Sequence, residues 1–126
     1  MIDHTSVAVS DYEKSKAFYQ KALAPLGYEL GMDLPEYKAV GFKDQGSGRQ
    51  DFWFGVVEKP APVHVAFAAQ SKEDVDNFHA AAVAAGGKDN GAPGYRTQYS
   101  AGYYGAFVLD LDGSNIEAVW RDPSKK

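Results

Sequence analysis

Three side chains in this sequence combine residue types and positions that could hold a metal ion. His4 and His64 each open a short segment with the alternation of a strand, and Glu117 lies in a third apolar segment, Asn115–Trp120. An ionised carboxylate among core-type residues is costly unless it is paired or bound to a metal. Two neutral imidazoles and one carboxylate form a facial triad suited to Fe(II), Mn(II), Zn(II) or Ni(II), with positions left open for water or substrate. The alternatives are two ordinary strand histidines and a glutamate on the exposed face of an edge strand.

An internal repeat favours the metal-site interpretation of the two histidines. Displacing the second half of the chain by sixty positions aligns strand starts, helix stripes and helix ends. The aligned pairs are His4 with His64, Phe18 with Phe78, Ala22 with Ala82, and Gly27 with Gly87. Repeats determine architecture, and two modules related by pseudo-twofold symmetry would bring equivalent strand positions together across the axis. The third histidine, His79, lies in a predicted helix and is interpreted as a boundary or surface residue.

The elements that must position these residues follow from hydrophobic periodicity and from helix-capping residues. Ser10 and Glu13 form a capping box before the first helix, and Ser71 is the predicted cap of the second. Strands are predicted at Asp3–Ser10, Tyr28–Met32, Tyr37–Phe42, Phe52–Val57, Val63–Ala68, Arg96–Tyr99, Tyr104–Leu109 and Asn115–Trp120. Each half is too short to close a core alone, so the order predicts two paired βαβββ modules and an α+β fold.

The composition excludes several classes of function. The chain has 126 residues, no cysteine and a formal net charge of −4. Without cysteine there can be no disulfide scaffold, zinc finger, iron–sulfur cluster or thiol nucleophile. An acidic chain without clustered Lys and Arg is not expected to bind nucleic acid. There is no apolar run of transmembrane length and no signal-peptide pattern at the N-terminus, so a cytoplasmic protein is expected.

Three segments in order resemble the glyoxalase/bleomycin-resistance/dioxygenase proteins, the vicinal oxygen chelate superfamily. Asp3–Val9, with the helix segment Lys16–Tyr19, resembles the start of their first module, and Val63–Phe67 resembles the start of their second. Gly102–Glu117 resembles their final hairpin. The resemblance covers nearly the whole chain and implies one domain, 1–126, whose modules are 1–59 and 62–122 and whose mixed sheet is cupped.

This resemblance implies a site and a class of chemistry. Family members usually form a homodimer and hold a divalent metal, which polarises vicinal oxygens of a small substrate. Carried over by position, the ligands would be His4, His64 and Glu117. The expected activity is that of a metal-dependent lyase, transferase or dioxygenase with an unassigned substrate. The alternative is a protein of the bleomycin-resistance type, which sequesters a small drug-like molecule without catalysis.

The sequence departs from the glyoxalase I pattern in one strand. Those enzymes take a fourth ligand, a glutamate, from the last strand of the first module. Here that strand, Asp51–Val57, has no carboxylate in its middle, and Asp51 and Glu58 lie at its ends. Since a glutamate near the metal usually serves as the proton-transferring base, glyoxalase I activity is not expected.

The predicted substrate contacts come mainly from one glycine- and tyrosine-rich segment, Gly91–Tyr104. Glycine permits close approach, and tyrosine combines a large contact area with a polar tip. The candidate residues are Trp53, Arg96, Tyr99, Tyr103 and Tyr104. The alternative is a flexible connection whose tyrosines pack on the sheet, with Trp53 in the core.

The linker Pro60–Pro62 bears on assembly. Two prolines in three residues favour an extended path, which disfavours folding one module back over the other. We therefore expect a homodimer in which His4 comes from one chain and His64 and Glu117 come from the other.

Overall fold

The computed structural model describes residues 1–125 and contains two helices and eight strands arranged as a repeat. The first half comprises β1 (Thr5–Val9), α1 (Tyr12–Leu23), β2 (Tyr28–Leu34), β3 (Ala39–Asp44) and β4 (Phe52–Val56). The second half comprises β5 (His64–Ala68), α2 (Lys72–Ala84), β6 (Lys88–Tyr95), β7 (Tyr103–Leu109) and β8 (Asn115–Arg121). Two 3₁₀ turns, Ala24–Leu26 and Pro35–Tyr37, flank β2.

Both halves have the same topology. The strand order is β1-β4-β3-β2 in one four-stranded sheet and β5-β8-β7-β6 in the other. In each sheet the first and last strands of the module pair in parallel, and the remaining neighbours are antiparallel. The repeat and the α+β class predicted from the sequence are therefore confirmed.

The core lies between the sheets and the two helices. Alternate side chains of each strand point towards a helix, as Val7 and Val9 do in β1, while Ser6 and Ala8 face the other way. Helix α1 contributes Phe18 and Tyr19 to an aromatic cluster, and α2 packs against α1 and its own sheet. The opposite face of each sheet is not covered by a helix, and the candidate ligands lie on this face.

One predicted helix cap is wrong and the other is confirmed. The N-cap of α1 is Asp11, whose carboxylate accepts from the Lys14 amide at 2.8 Å, whereas the Ser10 amide donates to Asp112. Asp and Ser cap helices about equally well, so the adjacent pair was ambiguous in sequence. Ser71 caps α2 as predicted, accepting from the amide of Asp74.

The predicted strand Arg96–Tyr99 is also wrong. The chain is extended before it, in Lys88–Tyr95, and the predicted segment itself forms a turn, in which the Tyr99 amide donates to the Arg96 carbonyl at 2.9 Å. The composition of β6 is typical of a loop, and its pairing with β7 shifts register twice, around Gly91. Such bulges tolerate glycine and do not follow the alternation on which strand prediction depends.

Two hydrogen bonds tie α1 and the residue before its N-cap to the turn between β7 and β8. The Tyr19 hydroxyl donates to Asp110 at 2.5 Å, and the Ser10 amide donates to Asp112 at 3.0 Å. Asp110 also accepts hydrogen bonds from the amides of Asp112 and Ser114, so one buried carboxylate organises the turn and joins the two halves.

Among the described residues, no helix is both long and apolar enough to cross a membrane.

Candidate metal and substrate site

Glu117 lies in the middle of the second sheet. It belongs to β8, which pairs with β5 on one side and β7 on the other, opposite Ala66 and Phe107. The interpretation of Glu117 as a glutamate on an exposed edge strand is therefore wrong. Only 1% of the residue is exposed, although it faces away from the helices, because neighbouring side chains cover it.

Two polar side chains hold the Glu117 carboxylate. His64 Nε2 lies 2.8 Å from Glu117 Oε1, and the Tyr103 hydroxyl donates to Oε2. Burial and the hydrogen bond to Glu117 raise the pKa of Tyr103 to about 12, so the phenol stays protonated and remains a donor at neutral pH. Each carboxylate oxygen thus has a partner, which makes an ionised Glu117 tolerable inside the protein.

The geometry of this pair fits two ligands of one divalent ion. Ligand atoms each about 2.1 Å from an ion and at right angles to each other are about 3 Å apart. The 2.8 Å separation of His64 Nε2 and Glu117 Oε1 matches this value. The imidazole side chain is 52% exposed, so an ion could reach the pair from the open face of the sheet.

His4 does not join this pair within one chain. It precedes β1 in the other sheet, its side chain is 59% exposed, and its Nδ1 lies 2.8 Å from the carboxylate of Asp3. The hydrogen bond with His4 is the main cause that lowers the pKa of Asp3, and Arg49 adds to it. A proton held on Nδ1 leaves Nε2 free to bind a metal, an arrangement common among metal-bound histidines. Within residues 1–125 of one chain, no three His, Asp or Glu side chains converge as a metal site.

Trp53 occupies the position in the first module that Glu117 occupies in the second. In the first sheet Ser6 pairs with Trp53, and in the second the repeat equivalent of Ser6, Ala66, pairs with Glu117. The Trp53 indole packs over Gly41, where an added Cβ would lie 2.8 Å from the ring. The first module therefore has an aromatic side chain at the position where the second module has the Glu117 carboxylate.

Arg96 and Tyr99 line a cavity of about 330 Å³. The other lining residues are Asn90, Gly91, Phe107 and Asn115. The Tyr99 ring meets the Tyr103 ring edge to face at 5.0 Å, and it is 60% exposed. Tyr104, also predicted to contact substrate, lies on the opposite face of β7, where its hydroxyl donates to Asp76 of α2.

Sequence reasoning did not identify Phe107 and Asn115 as parts of this wall. Both follow from the hairpin register, since Phe107 pairs with Glu117, and Asn115 pairs with both Leu109 and His64. The sequence Asp112-Gly113 is typical of a two-residue hairpin turn, which would place Val108 opposite Glu117. The loop instead has three residues, 111–113, because the Asp110 amide donates to the Ser114 carbonyl, and this shifts the register by one residue and places Phe107 there.

A larger cavity of about 460 Å³ lies between the first sheet and β5. It is lined by Asp3, Tyr28 and Asp51 on one side and by Val65–Gln70 on the other. His64 and Glu117 line neither cavity. We place the candidate chemistry at the smaller one because its wall contains both Asn115, the register partner of His64, and Phe107, the register partner of Glu117.

Comparisons with known proteins agree with this architecture. Among curated proteins, none matches the chain. A glyoxalase/bleomycin resistance protein from Albidiferax ferrireducens is 33% identical over 94% of this chain and 97% of its own, with a TM-score of 0.73.

Two more distant structures share the fold. One is a family enzyme from Burkholderia phytofirmans, 21% identical over 95% of this chain and 98% of its own, with a TM-score of 0.72. The other is a lactoylglutathione lyase from Agrobacterium tumefaciens, 21% identical over 95% and 92%, with a TM-score of 0.70. The family model of the Glyoxalase/Bleomycin resistance protein/Dioxygenase superfamily matches residues 1–118, and the chain belongs to that superfamily.

Proposed function

We propose that this protein is a divalent-metal-dependent enzyme that acts on a small substrate with vicinal oxygens. The observation that carries the proposal is the buried Glu117 carboxylate 2.8 Å from the open imidazole of His64, on the uncovered face of the sheet. Two donors hold an ion weakly, so the site needs a third. In the proposed homodimer, His4 of one protomer completes the site of its partner.

The residues of this chain have distinct roles in the proposed site. Tyr103 holds one oxygen of Glu117 and leaves the other for the ion, and Asp3 orients His4. Arg96 and Tyr99 form the wall against which the substrate lies. A bound divalent ion would polarise the vicinal oxygens of the substrate as a Lewis acid.

The site is not suited to the glyoxalase I reaction. That isomerisation moves a proton and needs a base near the metal. The position that would supply a carboxylate from the first module is Trp53, which cannot accept a proton. We therefore expect weak or no turnover of the methylglyoxal–glutathione hemithioacetal. Efficient lactoylglutathione formation by the pure protein would contradict this assignment.

Metal binding by purified protein tests the proposal. After chelation and dialysis, the protein is titrated with Mn²⁺, Fe²⁺, Ni²⁺ or Zn²⁺, and bound metal is counted by elemental analysis. We expect about one ion per chain, and loss of stoichiometric binding in His64→Ala and in Glu117→Gln.

His79→Ala is the matched control. His79 lies in α2 and its Nε2 is 2.9 Å from Asp89, so it also combines an imidazole with a carboxylate. This variant should bind metal like the parent. A parent protein that binds no divalent ion would contradict the proposal and favour the sequestering alternative, for which a panel of planar small molecules is the next assay.

A further inference from the structure

Arg96 is held in a fixed orientation beside the candidate site. Its Nη1 donates to the Gly94 carbonyl at 2.8 Å, and its Nη2 donates to the Ala92 carbonyl at 2.7 Å. The guanidinium also lies over the Phe107 ring, 5.4 Å from its centroid. These contacts fix the plane of the guanidinium group before any ligand arrives, which lowers the entropy cost of binding.

The charge of Arg96 has no carboxylate partner among residues 1–125. A guanidinium has five N–H donors, and the two carbonyl contacts leave donors unused. Glu117 lies on β8, two strands away from β6, and His64 and Tyr103 already hold its carboxylate. In a chain whose net charge is −4, an oriented and unpaired guanidinium in a cavity wall is an anion-binding group.

Arg96 is also within reach of a ligand bound at the proposed metal. Both groups lie near the Phe107 ring: the His64 ring centroid is 6.3 Å from the Phe107 centroid, and the Arg96 guanidinium is 5.4 Å from it. The cavity of about 330 Å³ that Arg96 lines also includes Asn115, the register partner of His64. A small molecule could therefore contact both.

We propose that the substrate carries an oxyanionic substituent, a carboxylate or a phosphonate, and that Arg96 pairs with it while the vicinal oxygens face His64 and Glu117. Arg96 is then the residue that selects charged substrates. The inference rests on the proposed function, since it places the rest of the substrate at the metal.

Matched hydroxamates test the proposal, because each presents two vicinal oxygens to a metal. Succinohydroxamate ends in a carboxylate, 3-phosphonopropanohydroxamate ends in a phosphonate, and butyrohydroxamate ends in a methyl group at similar length. Binding to the metal-loaded dimer is measured by calorimetry. We expect at least one anionic probe to bind roughly tenfold or more tightly than the alkyl probe, and the better anion identifies the substituent.

Three variants separate charge recognition from structure. Arg96→Gln should lose the preference for the anionic probe and keep the affinity for butyrohydroxamate, whereas Arg96→Lys should keep only part of the preference. Lys14→Gln removes one positive charge from an exposed position on α1. It should change neither the preference for the anionic probe nor the affinity for butyrohydroxamate. Equal affinities for all three probes, or a preference that survives in Arg96→Gln, would overturn the proposal.

A metal-free arm distinguishes this inference from the proposed function. Succinate or methylphosphonate is added to apoprotein labelled with ¹⁵N, and the Arg96 Nε–Hε resonance is followed after assignment by its loss in Arg96→Lys. A saturable shift supports anion recognition even if the protein takes up no metal. No shift at saturating anion would refute it, whatever the metal analysis shows.

Discussion

Replacing Tyr103 by phenylalanine removes one hydrogen bond from a buried carboxylate and little else. The Tyr103 hydroxyl donates to Oε2 of Glu117, which is 1% exposed, so no water can easily take its place. A hydrogen bond to a charged group contributes about 1.5–3 kcal/mol, and Tyr103 itself is only half-buried. We therefore expect Tyr103→Phe to lower the free energy of unfolding of the metal-free protein by about 2 kcal/mol.

Tyr104→Phe is the matched control. Tyr104 is the next residue of β7, its hydroxyl donates to the carboxylate of Asp76 at 2.6 Å, and burial also raises its pKa to about 12. Asp76, unlike Glu117, is partly open to water, which can replace the lost donor. The expected loss is about 1 kcal/mol or less.

Urea unfolding at one fixed protein concentration, followed by circular dichroism, measures both changes. The concentration is fixed because the stability of the proposed dimer would depend on it. Equal m-values would show that the difference comes from stability rather than from compactness. If Tyr103→Phe loses no more stability than Tyr104→Phe, the buried Glu117 carboxylate does not depend on this donor, and the account of the site is wrong.

Three further results follow from the structure. Asp11→Ala should cost about 1 kcal/mol in urea unfolding and Ser10→Ala much less, because Asp11 provides the cap of α1. Tyr19→Phe should cost about 2 kcal/mol by the same assay, since it leaves an oxygen of the buried Asp110 without its donor. The pKa of Tyr103 is about 12 in the folded protein against an ordinary 10.0, so its contribution is complete below pH 10 and is lost between pH 10 and 12. The urea midpoint should therefore fall over that range, and by less in Tyr103→Phe; equal declines would contradict the assignment.

The fold could be predicted largely because the repeat duplicates its signals. Both helices carry apolar stripes, and β1 and β5 begin within one residue of equivalent positions, at Thr5 and at His64. The strand β6 was missed because Gly91, Pro93 and Gly94 give it the composition of a loop, and because its pairing contains bulges. The segment is extended because it pairs with β7, and its own composition contains no signal of that pairing.

The candidate site could be predicted only in part, for a different reason. His64 and Glu117 meet because their strands are neighbours, which follows from the module topology. The positions of Tyr103 and Tyr104 on opposite faces depend on register, and a shift of one residue would exchange them. The orientation of Arg96 depends on carbonyls of the irregular strand β6, which no periodicity indicates.

The central claim is that two chains share each metal site, with His4 supplied by one protomer and His64 and Glu117 by its partner. Mixing two inactive variants, His4→Ala and Glu117→Ala, tests it most directly. Each variant alone should bind no metal at stoichiometric concentration. Each mixed dimer, by contrast, contains one complete site and one site that lacks both the His4 imidazole and the Glu117 carboxylate. Native mass spectrometry of the mixture should show one ion in the mixed dimer and none in either parent dimer. A monomer with full metal occupancy, or a mixed dimer without metal, would contradict the account.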